Sequence, residues 1–243
     1  MEKKRLYFAA SLFNFADLHF NAALSSELEN YFNVSLPQRE GFEFSKLHQV
    51  LEEIVDKGEE KKHDVENIVN HLIYYLDVGF LLPNCDFCLA RLDEPMDPGV
   101  DIELMEAKEM RIPRIGFRTD VRTPYGSASN EVRGTHFFPA YNCDLFINFT
   151  SGNVANPEQG RAAIGKLAHL VYQGSQDIIS RNNGLPHKYV DLNGGTQYIG
   201  HTLFQGIKDL HSEAGIKEVV RRYTELKKAF GNMNPGNMGI VLA

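Results

Sequence analysis

The chain has 243 residues, enough for one sizeable core with a terminal extension, and its 43% hydrophobic and 23% charged residues argue against a disordered or fibrous protein. With 25 basic against 32 acidic residues the net charge is −7, and no basic block exceeds short groups such as Lys61-Lys62. A nucleic-acid polymer is therefore not an expected partner, because counterion release needs a basic surface. No apolar run approaches the roughly 18 to 20 residues that span a bilayer, and Met1-Glu-Lys-Lys-Arg5 leads into a strand-like run rather than a signal peptide's apolar core, so a cytoplasmic protein without a membrane partner is expected.

Arg5-Leu-Tyr-Phe-Ala-Ala10 is a short apolar run, and after Ser11 the residues Phe13, Ala16, Phe20, Ala23 and Leu24 recur at helical spacing, which predicts a strand, a tight turn and a helix. Asn33 to Pro37 suits a second strand, closed by its proline. Leu47, Val50, Leu51 and Ile54 form the stripe of a helix from Phe44 to Lys57, and Val65, Ile68, Leu72 and Leu76 mark another that stops before Gly79, with Lys57 to Lys62 as a solvated connection between them. A third strand is expected at about Asp86 to Leu92, then a Pro/Gly turn, a helix from about Gly99 to Met110 and a fourth strand from Pro113 to Thr119. Tyr141 to Phe149 is the candidate fifth strand. Helices follow at about 157–179, 201–212 and 215–230, separated by turns at Asn182 to Pro186 and Asn193 to Gly195, and the tail from Gly231 to Ala243 has loop composition.

Strands alternating with helices predict an α/β fold of Rossmann-like, flavodoxin-like type: about five parallel strands flanked by helices over residues 1–150. A mainly helical extension over 151–243 packs on the same domain or at a subunit interface, the latter being favoured for its apolar stripes. In such a sheet ligands bind beyond the carboxyl ends of the strands. Ser11 to Phe13, Gln38 to Gly41, Asp93 to Gly99 and Asp120 to Gly126 all fall on that edge.

Several chemistries are disfavoured. The three cysteines cannot close a disulfide framework, and Cys85 and Cys88, three apart on a strand, point to opposite faces as buried thiols rather than as a redox or zinc pair. The nine histidines show no metal-ligand spacing, so no metal is expected. No G-x-G-x-x-G or Walker A sequence opens a helix, so no dinucleotide or ATP cofactor is expected either. Phe137-Phe138 and Tyr74-Tyr75 read as core and surface packing, because no basic residues interleave with them.

The sharpest feature is Leu92-Asp-Glu-Pro-Met-Asp97-Pro-Gly99-Val-Asp-Ile-Glu103-Leu104, where a strand empties into a turn with three carboxylates and Asp101 and Glu103 follow at the start of a helix. Free N–H groups and the helix dipole favour ionised carboxylates there. An ionised carboxylate so held is a plausible nucleophile for an anomeric carbon; acidic residues near helix starts are also common stabilisers.

Four segments together resemble the nucleoside 2-deoxyribosyltransferase family. Leu6-Tyr7-Phe-Ala-Ala-Ser-Leu12-Phe13 is similar to its opening strand and turn, Leu36-Pro-Gln38-Arg39-Glu-Gly41 to L-P-Q-R-D-G, Asp97-Pro-Gly99-Val-Asp-Ile-Glu103-Leu104 to D-x-G-x-x-x-E-L, and Thr119-Asp120-Val-Arg122 to T-D-x-R. The resemblance covers roughly residues 5–150. It implies that Glu103 attacks C1′ of a 2′-deoxynucleoside, that Asp97 holds the sugar hydroxyls, and that Tyr7 positions the nucleophile. It further implies that Asp77, with Asp86 as the fallback, attends the departing base and that Gln38 contacts it. Ser11, Phe13 and Gly99 are the remaining substrate-binding positions, and Asn130, or failing it Asn142, corresponds to an asparagine lent by a neighbouring subunit. Implied partners are a nucleoside or nucleotide and a free nucleobase, with no cofactor and no metal, in a homo-oligomer. A hydrolase acting on a nucleoside or a nucleoside 5′-monophosphate, with Arg122 and Ser11 near the phosphate, and a non-catalytic nucleotide-binding protein are the alternatives. The chain departs from the family at Met105, a bulky residue after the nucleophile, and at Ala9-Ala-Ser-Leu-Phe13 in the opening turn.

Overall fold

The computed structural model describes residues 2–54, 59–127, 129–192, 195–231 and 233–235. In chain order the elements are β1 (Arg5–Ala9), α1 (Phe15–Leu28), β2 (Asn33–Ser35), α2 (Pro37–Glu40), α3 (Phe44–Ile54) and α4 (Glu59–Leu76), which runs on into a π turn (Asp77–Leu81) and a 3-10 turn (Leu82–Asn84). Then come β3 (Phe87–Arg91), α5 (Pro98–Glu109), β4 (Arg114–Arg118), α6 (Phe137–Tyr141), β5 (Leu145–Asn148), α7 (Pro157–Arg181), α8 (Gly195–Phe204) and α9 (Glu213–Phe230). The five strands pair in parallel in the order β2-β1-β3-β4-β5, so the Rossmann-like α/β architecture holds.

Two compact units divide these elements, residues up to Gln38 with Asn84–Tyr189 in one, and Arg39–Pro83 with the described residues from Val190 onward in the other. The helical extension expected over 151–243 is thus shared: α7 belongs with the sheet, whereas α8 and α9 belong with residues 39–83, which the sequence reading assigns to the α/β domain.

In the sheet unit, strand alternation sorts the side chains. Leu6, Phe8, Phe87, Leu89, Ile115 and Phe117 pack with Leu24 and Leu28 of α1 and with Leu167, Val171 and Ile178 of α7. Gly174 admits α7 to this face, since a Cβ there would sit 3.0 Å from Leu145. Tyr7, Cys88, Ala90, Gly116 and Arg118 alternate onto the opposite face, towards α5, whose Val100, Leu104 and Ala107 are buried. Cys85 and Cys88 are buried free thiols, as the strand reading requires.

The second unit is helical. Leu47, Leu51, Leu72, Tyr75, Phe204, Val219 and Tyr223 lead its core, and His71 Nδ1 lies 2.7 Å from the Tyr223 hydroxyl. Two of its segments meet backbone to backbone: a Cβ on Gly200 of α8 would stand 2.3 Å from the carbonyl carbon of Gly79 in the π turn.

Several expectations need correcting. The apolar stripes for which a subunit interface was the favoured cover are buried by the chain itself, Leu167 and Val171 under the sheet and Ile216, Val219, Val220, Tyr223 and Leu226 in the helical core. Pro37 opens a single helical turn, where its missing N–H costs nothing, rather than closing a strand. Residues 137–141 are helical, which shortens the fifth strand to Leu145–Asn148, and α8 runs from Gly195 to Phe204 instead of over 201–212. Of the expected connection at 57–62, Lys57 and Gly58 lie outside the described residues and Glu59 onward belongs to α4. Most of the expected loop-like tail, residues 236–243, also lies outside them.

Because any side chain at Gly200 collides with backbone rather than with a movable side chain, Gly200→Ala is expected to lower stability by about 1–3 kcal/mol, measured by urea denaturation.

Candidate functional site

The carboxyl edge of the sheet collects the residues of interest. Order β2-β1-β3 places the topological switch point between β1 and β3, the crevice where open parallel sheets bind ligands. Tyr7, in the middle of β1, has no exposed surface, and its hydroxyl donates to Glu103 Oε1 at 2.5 Å. Helix α5 delivers Glu103 because its start is fixed: Asp97 is the N-cap, Oδ1 accepting from the Gly99 N–H at 2.8 Å, and Pro98 takes a position where no backbone donor is missed. Asp97 and Gly99 therefore act first as a cap. Burial drives the Cys88 thiol pKa well up, and the Glu103 charge adds to it, so an inert thiol lies beside the carboxylate.

Asp101, on the same helix, is raised above the ordinary carboxylate range by burial; nearby His136 opposes this, while Glu94 and Asp97 add to it. Met105 is not the bulky neighbour of Glu103 that the sequence suggests. Two residues along a helix turns it to roughly the opposite side, where it is 40% exposed and lines a groove of about 390 Å³ with Met96, Leu104, His136 and Phe138.

At the ends of β1 and β2, Asn21 of α1 is fully buried and donates to Ser11 O at 2.9 Å and to Gln38 Oε1 at 3.3 Å, while Gln38 Nε2 donates to Leu18 O at 3.1 Å. Gln38, expected to contact a base, thus has both ends of its amide engaged within the protein. Phe13 is 82% exposed on the same turn, an aromatic face open to solvent.

The segment Thr119-Asp120-Val-Arg122 is held by a residue that sequence reasoning did not single out. Asp93 Oδ1 accepts from the Thr119 and Asp120 N–H groups at 2.6 and 2.8 Å, and Oδ2 accepts from Thr119 Oγ1 and Arg91 Nε, both at 2.7 Å. Arg91 also pairs with Asp17 at 2.9 Å and lies 4.5 Å above the Phe20 ring. Arg122 pairs with Asp120 and donates to Glu94 O, which lowers the Asp120 pKa and commits the guanidinium locally.

Other expected residues lie apart from this cluster. Asp86 sits at the amino end of β3, Oδ2 accepting from the Arg5 N–H at 2.9 Å, so the fallback for the base-side aspartate is a clamp on the far edge of the sheet. Asn130 Oδ1 accepts from the Gly134 N–H, and Asn142 caps α6 while accepting from Lys108 Nζ at 2.8 Å, so both asparagines have local structural duties. Phe138 is 66% exposed on α6 rather than core.

Asp77 belongs to the helical unit. It opens the π turn, a geometry that recurs at functional sites, and burial pushes its pKa up to about 7.

Among the described residues no group of three or more His, Cys, Asp or Glu could hold a metal ion, and no helix is long and apolar enough to cross a membrane. Neither the known protein-family models nor the curated proteins contain a match to this chain.

Some signals for the missed residues are visible in the sequence. Asn21 stands on the Leu24 and Leu28 stripe, where a polar residue must find internal partners, and Arg118 closes a strand with an apolar interior. Nothing in its spacing marks Asp93.

The folded Asp77 carboxyl holds its proton up to about 7, and an unfolded one releases it near 3.8. Between those values the folded chain binds more protons, so stability falls as pH rises through the window. Urea denaturation across the window should show this decline, and Asp77→Asn should flatten it.

Proposed function

We propose that the protein cleaves the N-glycosidic bond of a 2′-deoxynucleoside by attack of Glu103 on C1′ and passes the deoxyribosyl group to a second base. The observation that carries the reading is the 2.5 Å hydrogen bond from buried Tyr7 to Glu103 at the sheet's switch point. A phenol donor favours the ionised carboxylate and fixes its direction, both of which a nucleophile requires. The family resemblance of the four segments supports the choice of substrate.

In the first half-reaction a Glu103 oxygen forms a bond to C1′ as the C1′–N bond breaks, its electron pair leaving with the base nitrogen, which takes a proton from an acid or from water. The second half-reaction runs in reverse: a nitrogen of the incoming base attacks C1′ and Glu103 departs as carboxylate. No redox step or cofactor enters. Asp97, anchored by its capping bond, has Oδ2 without a hydrogen bond among the described residues and is the group proposed to hold a sugar hydroxyl. Ser11 and exposed Phe13 supply the turn against which sugar or base rests.

Glu103→Ala is expected to leave the fold intact, by circular dichroism, and to cut turnover roughly a thousandfold or more. Chromatography of a deoxynucleoside incubated with and without an acceptor base reads the outcome: a new nucleoside supports transfer, and free base alone redirects the reading to hydrolysis. A 2-fluoro sugar analogue should leave its mass on Glu103. Retention of more than about a tenth of the rate by the folded variant would remove Glu103 from this role. Tyr7→Phe should cost about tenfold or more, the worth of one hydrogen bond to a charged group.

A further inference from the structure

Arg118, the last residue of β4, is the largest fully buried side chain among the described residues, 1% exposed. A guanidinium is always charged, and charge is costly to bury without a counter-charge. Yet the hydrogen bonds of Arg118 go to neutral acceptors: Nη1 donates to Arg133 O at 2.7 Å and to Thr135 Oγ1 at 3.0 Å. Asp120, the acid it influences, is already bound to Arg122. Nε and Nη2 are buried and have no hydrogen-bond partner among the described residues.

Those two nitrogens form one edge of the guanidinium plane. Their N–H groups run parallel, the fork that matches two oxygens of a phosphate or carboxylate. An internal water would satisfy the hydrogen bonds but not the charge. Position also fits a ligand. Arg118 shares the sheet face of Tyr7, stands at the carboxyl end of its strand, and pairs in register with Asn148 of β5, which is exposed. The connection that follows β4 is fastened to the guanidinium through Arg133 O and Thr135 Oγ1, which leaves the Nε/Nη2 edge uncommitted.

We propose that Arg118 binds an oxyanion through its Nε/Nη2 edge, and that this anion is the phosphate of a nucleoside 5′-monophosphate. The identity of the substrate rests on the glycosyl-transfer reading above; the anion site does not.

Isothermal titration in a Glu103→Ala background, where no turnover intrudes, tests it with three ligands: inorganic phosphate, a 2′-deoxynucleoside and its 5′-monophosphate. The monophosphate should bind at least about tenfold more tightly than the nucleoside, and Arg118→Met and Arg118→Lys should each abolish that gain, the lysine because it keeps the charge but loses the fork. Arg118-dependent binding of inorganic phosphate without a gain for the monophosphate keeps the anion site but overturns the nucleotide as its source. Binding of phosphate in an Arg118-dependent way by a protein that neither binds nor processes deoxynucleosides supports the site while refuting the glycosyl-transfer reading. If the wild-type residue gives no binding of phosphate and no gain for the monophosphate, or if the lysine variant retains what the wild type shows, the proposal is overturned. The wild-type and lysine arms decide it even where the methionine variant does not fold.

Discussion

A phenol with no exposed surface must find its acceptor inside the protein, and Tyr7 finds Glu103. Much of the surrounding geometry can be traced to that need. Tyr7 points towards α5 because Leu6 and Phe8 point towards α1 and α7. Glu103 can meet it because α5 begins at a fixed place, set by the Asp97 cap and Pro98. The strand before that helix is in turn tied to its neighbour, since Asp93 collects two backbone donors and a hydroxyl from the end of β4. One hydrogen bond between a strand and a helix thus sits at the end of a chain of local restraints, each of which is short in sequence or lies within one sheet edge.

The architecture was legible because apolar runs and helical stripes carry it. Four consecutive buried residues in β1 need a strand covered on both faces, and the Asp97-Pro-Gly99 turn carries its own capping chemistry. Boundaries were less legible where local and tertiary preferences compete: Phe137 to Tyr141 has strand-forming aromatics but coils into a short helix capped by His136 and Asn142. In the candidate site, Glu103 and Tyr7 could be paired from the sequence through a resemblance, since both lie at strand or helix positions with fixed direction. What could not be read was which polar groups are already spoken for. Gln38 and Asn142 are both well placed in sequence to touch a ligand, and both have their amides bound to neighbouring protein atoms. Apart from Phe138 O, one helical turn before Asn142, those partners come from long-range packing, which spacing along the chain does not encode.

The division into two units shows the same limit. Residues 39–83 look like further crossover helices of an α/β protein, because their stripes have the right period. A stripe states that it must be covered and says nothing of what covers it. Helices α3 and α4 are covered by α8 and α9, far along the chain, and the contact that brings α8 close is made of two glycines, Gly79 and Gly200, which no hydrophobic pattern could flag.

The cysteines carry one more implication. Cys85 and Cys88 are buried, Cys143 is pushed up to about 12 by burial, and all three belong to the sheet unit. In the native state burial keeps the Cys88 and Cys143 thiols protonated and Cys85 is itself buried, so an alkylating reagent meets almost no thiolate. Labelling kinetics would accordingly time the opening of the sheet unit alone, leaving the helical unit silent: the wild-type chain carries a built-in reporter for one half of its own unfolding.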